Sequence, residues 1–421
     1  MKQIKYAIIG QGRSGADIHA KYLTTDKDRF KMIAVADPLQ ERLNHAKKTY
    51  NYDDSVMLYT DYHDIFKHKD LDLIINASMS HQHYPIGMEI LQNGFNVLIE
   101  KPLANKVQEV DNLIAAAKKT GKVFAVFQQS RFAPYYIQIK KVIDSGVLGR
   151  IIKITIAFSG FSRRWDWQTI DALNAGGLRN TGPHPLDQAL RFLDYEGMPE
   201  VVCHMDCANA LGGGDDFCQL IMKAPGRPVL EVEVSSCNPY SPFLYLVQGS
   251  CGGLKATTNR ADWKYFIPSE APVITLSEKP IARDDGGPAY CGEQLPWKEE
   301  SWDLPPEHAD LFITISSRFY SMLYNTLTEG MPLEVTPEQV RQQIAVTEEC
   351  HRQHKARVAG KPAFFVLPAV YGNKIAAGRI KSAKVKKAVK KNSGKPVFKK
   401  ADKKNSQTKK ASKKSRYKVR K

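Results

Sequence analysis

Residues 4–15 read IKYAIIGQGRSG, an apolar run that ends in glycines at positions 10, 12 and 15, and no other feature restricts the fold as much. In a strand–turn–helix unit the first glycine makes the tight turn, the second lets the backbone approach a pyrophosphate, and the third lets the helix pack closely on the strand. Phosphate then sits at the helix N-terminus. The pattern is weak by itself, but here it lies between an apolar run and an amphipathic stretch near 14–24, the context it requires. Gly10, Gln11, Gly12, Arg13, Ser14 and Gly15 are therefore expected to contact a dinucleotide.

The same alternation continues downstream. KMIAVA, LDLIINA, FNVLIE and KVFAVF are short apolar runs separated by amphipathic stretches near 38–49, 84–93 and 106–119, which predicts right-handed βαβ units and a parallel sheet. After residue 150 the pattern becomes strict alternation, as in IIKITIAF and VLEVEV, the mark of strands with one dry face and one wet face. Further strands are expected near 201–208, 216–223, 243–248, 254–258 and 272–277. Two helices follow, over 306–328 and from Thr336, an N-cap followed by Pro337 at the first helical position. A chain of 421 residues exceeds the roughly 250–300 at which single cores stop growing. The expected fold is α/β. A Rossmann-type domain spans 1–128, and an α/β domain with a large, mostly antiparallel open sheet spans 129–370. A disordered basic tail covers 371–421.

The net charge of +17 suggests nucleic acid until it is located. Residues 374–421 hold 21 Lys or Arg and one acid, Asp402, which leaves −3 for residues 1–373. With so few large apolar residues that tail cannot offset its chain entropy. Its possible roles are weak, salt-sensitive binding to a polyanion and none at all. The seven cysteines contain no CxxC pair, which argues against a disulfide framework or a zinc site. Cys203 and Cys207 are expected to share one face of a strand, and no metal is expected. The first apolar stretch breaks at Gly10, too early for a secretory core, and no run approaches the ~20 residues of a membrane span. A cytoplasmic protein without a membrane span is expected.

Asp37 ends the second apolar run, 22 residues past Gly15, where a carboxylate accepts both ribose hydroxyls of an adenosine. It repels a 2′-phosphate, so NAD is favoured over NADP, with Arg42 as a competing signal. The run NVLIEKPLA then places Glu100 and Lys101 at the end of a buried strand, with Pro102 behind them. Ligands of parallel sheets sit outside the carboxyl ends of strands. An ammonium there can stabilise developing oxyanion charge or exchange a proton. Glu100 is expected to anchor the cofactor or hold Lys101.

GGLRNTGPHPLDQALRFL puts His184 at the start of a helix, whose dipole disfavours imidazolium and leaves a ring able to accept a proton. Asp187, three residues on, either orients that ring or caps the helix. FSRRWDWQT supplies Arg164 and Trp167, charged and aromatic groups suited to a sugar or cyclitol.

Several of these motifs, in this order, resemble the Gfo/Idh/MocA oxidoreductases: the glycine loop, NASMSHQHYPIGMEILQNGFNVLIEKPLA, QQSRFAPYY followed by SGVLGRI, and GGLRNTGPHPLDQ. The resemblance covers about residues 4–366. It implies a nicotinamide held where Lys101 and His184 meet, a carbohydrate or polyol substrate, and a homo-oligomer built on the second domain's sheet. It places Ser78, His83, Glu100, Lys101 and Gln128 among the cofactor contacts. It also makes Lys101, His184 and Asn180 the catalytic group, with Asn180 and His184 on the substrate, where Trp167 and Arg164 are expected from their own chemistry. Asn180 stands where the family usually has an Asp; an amide can position a hydroxyl but cannot relay a proton. The expected activity is hydride transfer between nicotinamide and a secondary alcohol or carbonyl. The alternatives are an NAD-retaining glycoside-cleaving enzyme and a non-catalytic NAD sensor.

Overall fold

Six short strands form the first sheet of the computed structural model, which describes residues 2–360. They are β1 (Ile4–Ile9), β2 (Phe30–Ala36), β3 (Met57–Tyr59), β4 (Leu73–Asn76), β5 (Val97–Ile99) and β6 (Phe124–Val126). Their order is β3-β2-β1-β4-β5-β6, every pair parallel. That order reverses between β1 and β4, the crevice where such sheets bind dinucleotides. Central strands buried on both faces read as continuous apolar runs, as LIIN and VLI do. The crossover helices are α1 (Lys21–Leu23), α2 (Gln40–Thr49), α3 (His83–Gln92) and α4 (Val107–Thr120). α4 stops at Gly121, whose φ of 66° is left-handed.

Between β1 and α1 the chain forms a π-helical turn, Gly15–Ala20, instead of the α-helix that spacing predicts. Its wide i→i+5 turn buries His19 together with Gly15, Ala16 and Ala20. Such turns recur at functional sites.

The second sheet has the order β14-β13-β12-β11-β7-β10-β9-β8. Its strands are β7 (Ile151–Ser159), β8 (Glu200–Asp206), β9 (Phe217–Lys223), β10 (Val229–Ser235), β11 (Tyr245–Gly249), β12 (Gly252–Ala256), β13 (Arg260–Tyr265) and β14 (Lys298–Asp303). The sheet is mixed: the central β7–β10 pair is parallel and the other pairs are antiparallel. Alternation works as expected in β10, where Leu230, Val232 and Val234 are buried. It misleads at 272–277, which lies outside both sheets with Val273, Ile274 and Leu276 exposed. One of the two edge strands is the polar β14, which pairs with β13 and is solvated as an edge strand can be. Cys207 falls just past β8 and is exposed; the buried thiols are Cys203, Cys218 and Cys350.

The helix α5 (Pro134–Asp144) precedes β7, α6 (Gly177–Asn180) and α7 (Pro183–Leu193) lie between β7 and β8, and α8 (Leu311–Glu329) and α9 (Pro337–Val358) follow β14. Thr336 caps α9 in a reciprocal box with Gln339. α8 returns to the first sheet. Its Tyr320 stacks on Tyr22 at 5.3 Å and meets Phe30 edge-on at 5.6 Å. Phe319 packs on Phe127 at 4.8 Å. Each of these buried aromatics contributes roughly 1.5–3 kcal/mol, so α8 fixes the back wall of the site. The residues expected to be a disordered tail, 371–421, lie outside the described residues.

Candidate active site

A cavity of about 620 Å³ opens at the carboxyl ends of β1, β2 and β4, within the range of cofactor pockets. Gly10, Gly12, Arg13, Ser14, Asp37, Ser78 and Trp167 all line it. The glycines divide their tasks as the spacing predicts. A Cβ on Gly15 would lie 1.8 Å from the Gly10 carbonyl oxygen, so only glycine lets the π-helical turn sit against the strand end. A Cβ on Gly12 would meet nothing within 4 Å; that open space faces the cavity, where a pyrophosphate fits.

Asp37 is nearly fully buried. Its Oδ2 accepts the Gln11 N–H at 2.8 Å and its Oδ1 accepts the Leu39 N–H at 3.0 Å, which pins the carboxylate and leaves lone pairs on both oxygens. Arg42 Nη1 stands 3.7 Å from it.

The other expected cofactor residues support the walls and do not line the cavity. Gln11 turns away, its Oε1 accepting the Tyr52 hydroxyl at 2.7 Å. His83 sits with Nδ1 2.8 Å from the Pro102 carbonyl and Nε2 3.0 Å from that of Ser78, tying the β4 and β5 loops together. Burial lowers its pKa despite these carbonyls. Gln128 donates to the Pro183 carbonyl at 2.6 Å, and Gln188 donates to that of Ser130 at 2.8 Å. Residues 128–131 thus strap α7 into place.

Lys101 follows β5 and precedes a cis bond to Pro102. Its Nζ donates to the backbone carbonyl of Asn180 at 2.8 Å. Burial lowers its pKa, and the charges of Arg13 and Arg164 act in the same direction, while Glu100 opposes them. His184 heads α7, and burial, with Lys101 nearby, pushes its pKa down to about 3. Its ring is therefore neutral, and its buried Nδ1 has no hydrogen-bond partner. Asn180 is also buried; its Nδ2 donates to the Gln168 carbonyl at 2.7 Å, and its Oδ1 has no partner.

The loop bearing Trp167 folds over the glycine loop. Arg13 and Arg164 both donate to Gln168 Oε1, the former at 3.3 Å. Arg164 and Asn180 share a smaller cavity of about 40 Å³ with Asp215. Asp187 does not orient His184: it is buried in an ion pair with Arg131, at 2.9 Å between Nε and Oδ2. Among the described residues no group of three or more His, Cys, Asp or Glu is placed to hold a metal ion. No described helix is long and apolar enough to cross a membrane.

Sequence reading missed several members of the site. Gln168 bridges the two arginines, and Asp215 reaches the small cavity from the far end of the β8–β9 loop. His19 and Tyr320, 301 residues apart, meet behind Glu100. The one local signal was a histidine on the packing face of the segment after Gly15, where an apolar residue would be ordinary.

The chain belongs to the GFO/IDH/MocA family. Residues 4–128 match its oxidoreductase domain, an NAD-binding Rossmann fold, and residues 136–255 match its C-terminal domain. It binds NAD through that first domain. The scyllo-inositol 2-dehydrogenase (NADP(+)) of Bacillus subtilis is 26% identical over 365 residues, 84% of this chain and 94% of the relative. The 2,7-anhydro-N-acetylneuraminate hydratase of Mediterraneibacter gnavus is 26% identical over 304 residues, 70% of this chain and 78% of the relative. An oxidoreductase from Agrobacterium radiobacter, solved with NAD+, L-tartaric acid and magnesium, has the same fold. It superposes with a TM-score of 0.63 at 15% identity, covering 86% of this chain and 98% of that one.

Proposed function

We propose that this oxidoreductase is an NAD-dependent dehydrogenase of a secondary alcohol in a sugar, sugar derivative or cyclitol, with Lys101 and His184 handling the proton. The observation that carries this reading is the Lys101–Asn180 hydrogen bond, which ties the amine after β5 to the segment that ends in His184. Gly10, Gly12, Arg13 and Ser14 would hold the diphosphate and Asp37 the adenosine ribose. Bound there, NAD would supply the hydride acceptor for oxidation of the carbinol carbon. The positive Lys101 stabilises oxygen charge developing on the substrate. The neutral His184 ring, with a free Nδ1, accepts the hydroxyl proton. Trp167 and Arg164 bound the substrate side. Asp37 favours NAD over NADP, although the Bacillus subtilis relative is named for NADP(+).

The hydratase relative favours a second reading, in which NAD stays bound and no net redox change results. A panel of cyclitols, sugars and glycosides incubated with NAD separates the two, with reduced nicotinamide and product both followed. Stoichiometric reduced cofactor supports the dehydrogenase; product without it supports the second reading.

A further inference from the structure

The hydroxyl of Tyr320, on α8, lies 2.6 Å from His19 Nδ1. His19 Nε2, on the other side of the ring, lies 3.2 Å from Glu100 Oε1, close but outside hydrogen-bond alignment. Glu100 Oε2 accepts the Lys101 backbone N–H at 2.9 Å. Glu100 is 1% exposed, and His19 and Tyr320 are 0% exposed. None of the three lines the cofactor cavity. A buried carboxylate is costly without a partner, and Phe127 packs against the His19 ring at 4.5 Å, closing that side to water.

We propose that Tyr320, His19 and Glu100 form a positioning chain that keeps Glu100 a carboxylate behind Lys101 and so sets the charge of the Lys101 amine. The chain deepens the reading of Lys101 as the proton-handling amine and rests on it. Tyr320 keeps its proton, because burial raises its pKa well above the ordinary value. Its O–H then donates to Nδ1, and the Nε2 proton of His19 faces Glu100. Burial pushes the Glu100 carboxyl up, but His19, with Lys101 and His83, outweighs burial and holds it below its usual value. Glu100 in turn opposes what lowers the Lys101 pKa: burial, Arg13 from the glycine loop and Arg164 from the loop above. His184 faces the same amine from α7, and Tyr6 and Tyr22 face Tyr320 from β1 and α1. The π-helical turn supplies the geometry, since it places His19 between α8 and the end of β5.

The test is the titration of Lys101 itself, read without substrate in protein carrying carbon-13 lysine. A Lys101→Met variant identifies the signal. The expected result is a midpoint lowered by about one pH unit or more in Glu100→Gln and His19→Leu, with a smaller fall in Tyr320→Phe. Tyr320→Phe removes one oxygen and keeps the ring packing, so it serves if the other variants fail to fold. An unchanged midpoint in Glu100→Gln or Tyr320→Phe protein that still binds NAD overturns the proposal. Because no turnover is involved, that result is distinct from a failure of the dehydrogenase reading, which appears as absent hydride transfer with the Lys101 titration still shifted by the variants.

Discussion

Lys101 Nζ is held by the backbone carbonyl of Asn180 at 2.8 Å, and the Asn180 side chain takes no part in that bond. The lysine anchor is thus indifferent to whether residue 180 is Asn or Asp. What demands an amide is the other contact, since Nδ2 donates to the Gln168 carbonyl at 2.7 Å.

Asn180→Asp therefore sets a carboxylate oxygen against that carbonyl oxygen in a buried site. It is expected to destabilise the protein by about 1–3 kcal/mol at neutral pH. The penalty should shrink at acid pH, where a protonated Asp donates again. Thermal unfolding of variant and wild type from pH 5 to pH 8 checks this; an equal or raised stability at pH 8 would show that the Gln168 contact is dispensable.

Asp37 is pinned by two backbone N–H groups with lone pairs to spare on both oxygens. Asp37→Asn keeps the shape and removes the charge. NAD affinity should fall roughly 10-fold, the scale of one hydrogen bond to a charged group. NADP affinity should rise relative to NAD, with Arg42 then free to meet a 2′-phosphate. Paired titrations by calorimetry read both.

How much of this was legible in the sequence depended on how local each determinant is. The glycine loop, Asp37 and the Glu100–Lys101–Pro102 run are each set within one strand and its following turn, so spacing and burial pattern are enough to single them out. The wall residues were harder. His83 and Gln128, expected among the cofactor contacts, bond backbone carbonyls, because fixing a loop and touching a ligand demand the same polar residue types; of the two roles expected for Glu100, the structure shows a bond to the Lys101 N–H. Asp187 reads from its spacing as a partner of His184 or a helix cap because its actual partner, Arg131, lies 56 residues away. The strand expected at 272–277 failed for a different reason: apolar alternation measures the chance to be buried, and at a sheet edge the polar β14 paired instead.

Asp215 gives a pH dependence with a definite sign. Burial raises its pKa from 3.8 to about 7, against the opposing Leu178 N–H and Arg179. Below pH 4 it is protonated in both folded and unfolded chains. Between about 4 and 7 the unfolded chain releases the proton and the folded one retains it, so stability falls as pH rises through that window and is flat above it. Asp215→Asn should remove that component, on the order of a few kcal/mol across the window. Its Oδ1 still accepts the Leu178 N–H, which Asp215 Oδ2 accepts at 2.7 Å. Comparing the slopes of unfolding free energy against pH isolates it from Glu100 and His184, whose lowered pKa values destabilise the fold at acid pH.

The most direct measurement is hydride transfer itself. Carbon-deuterated cyclitols and sugars are incubated with NAD and either wild-type or Lys101→Ala protein, and the nicotinamide is analysed for deuterium at C4. Lys101 and His184 as proton-handling groups require deuterium to appear with wild type and to fall by roughly 100-fold or more with Lys101→Ala, while NAD binding persists. Deuterium transfer at equal rates in both proteins, or none in either across the panel with NAD bound, would contradict it.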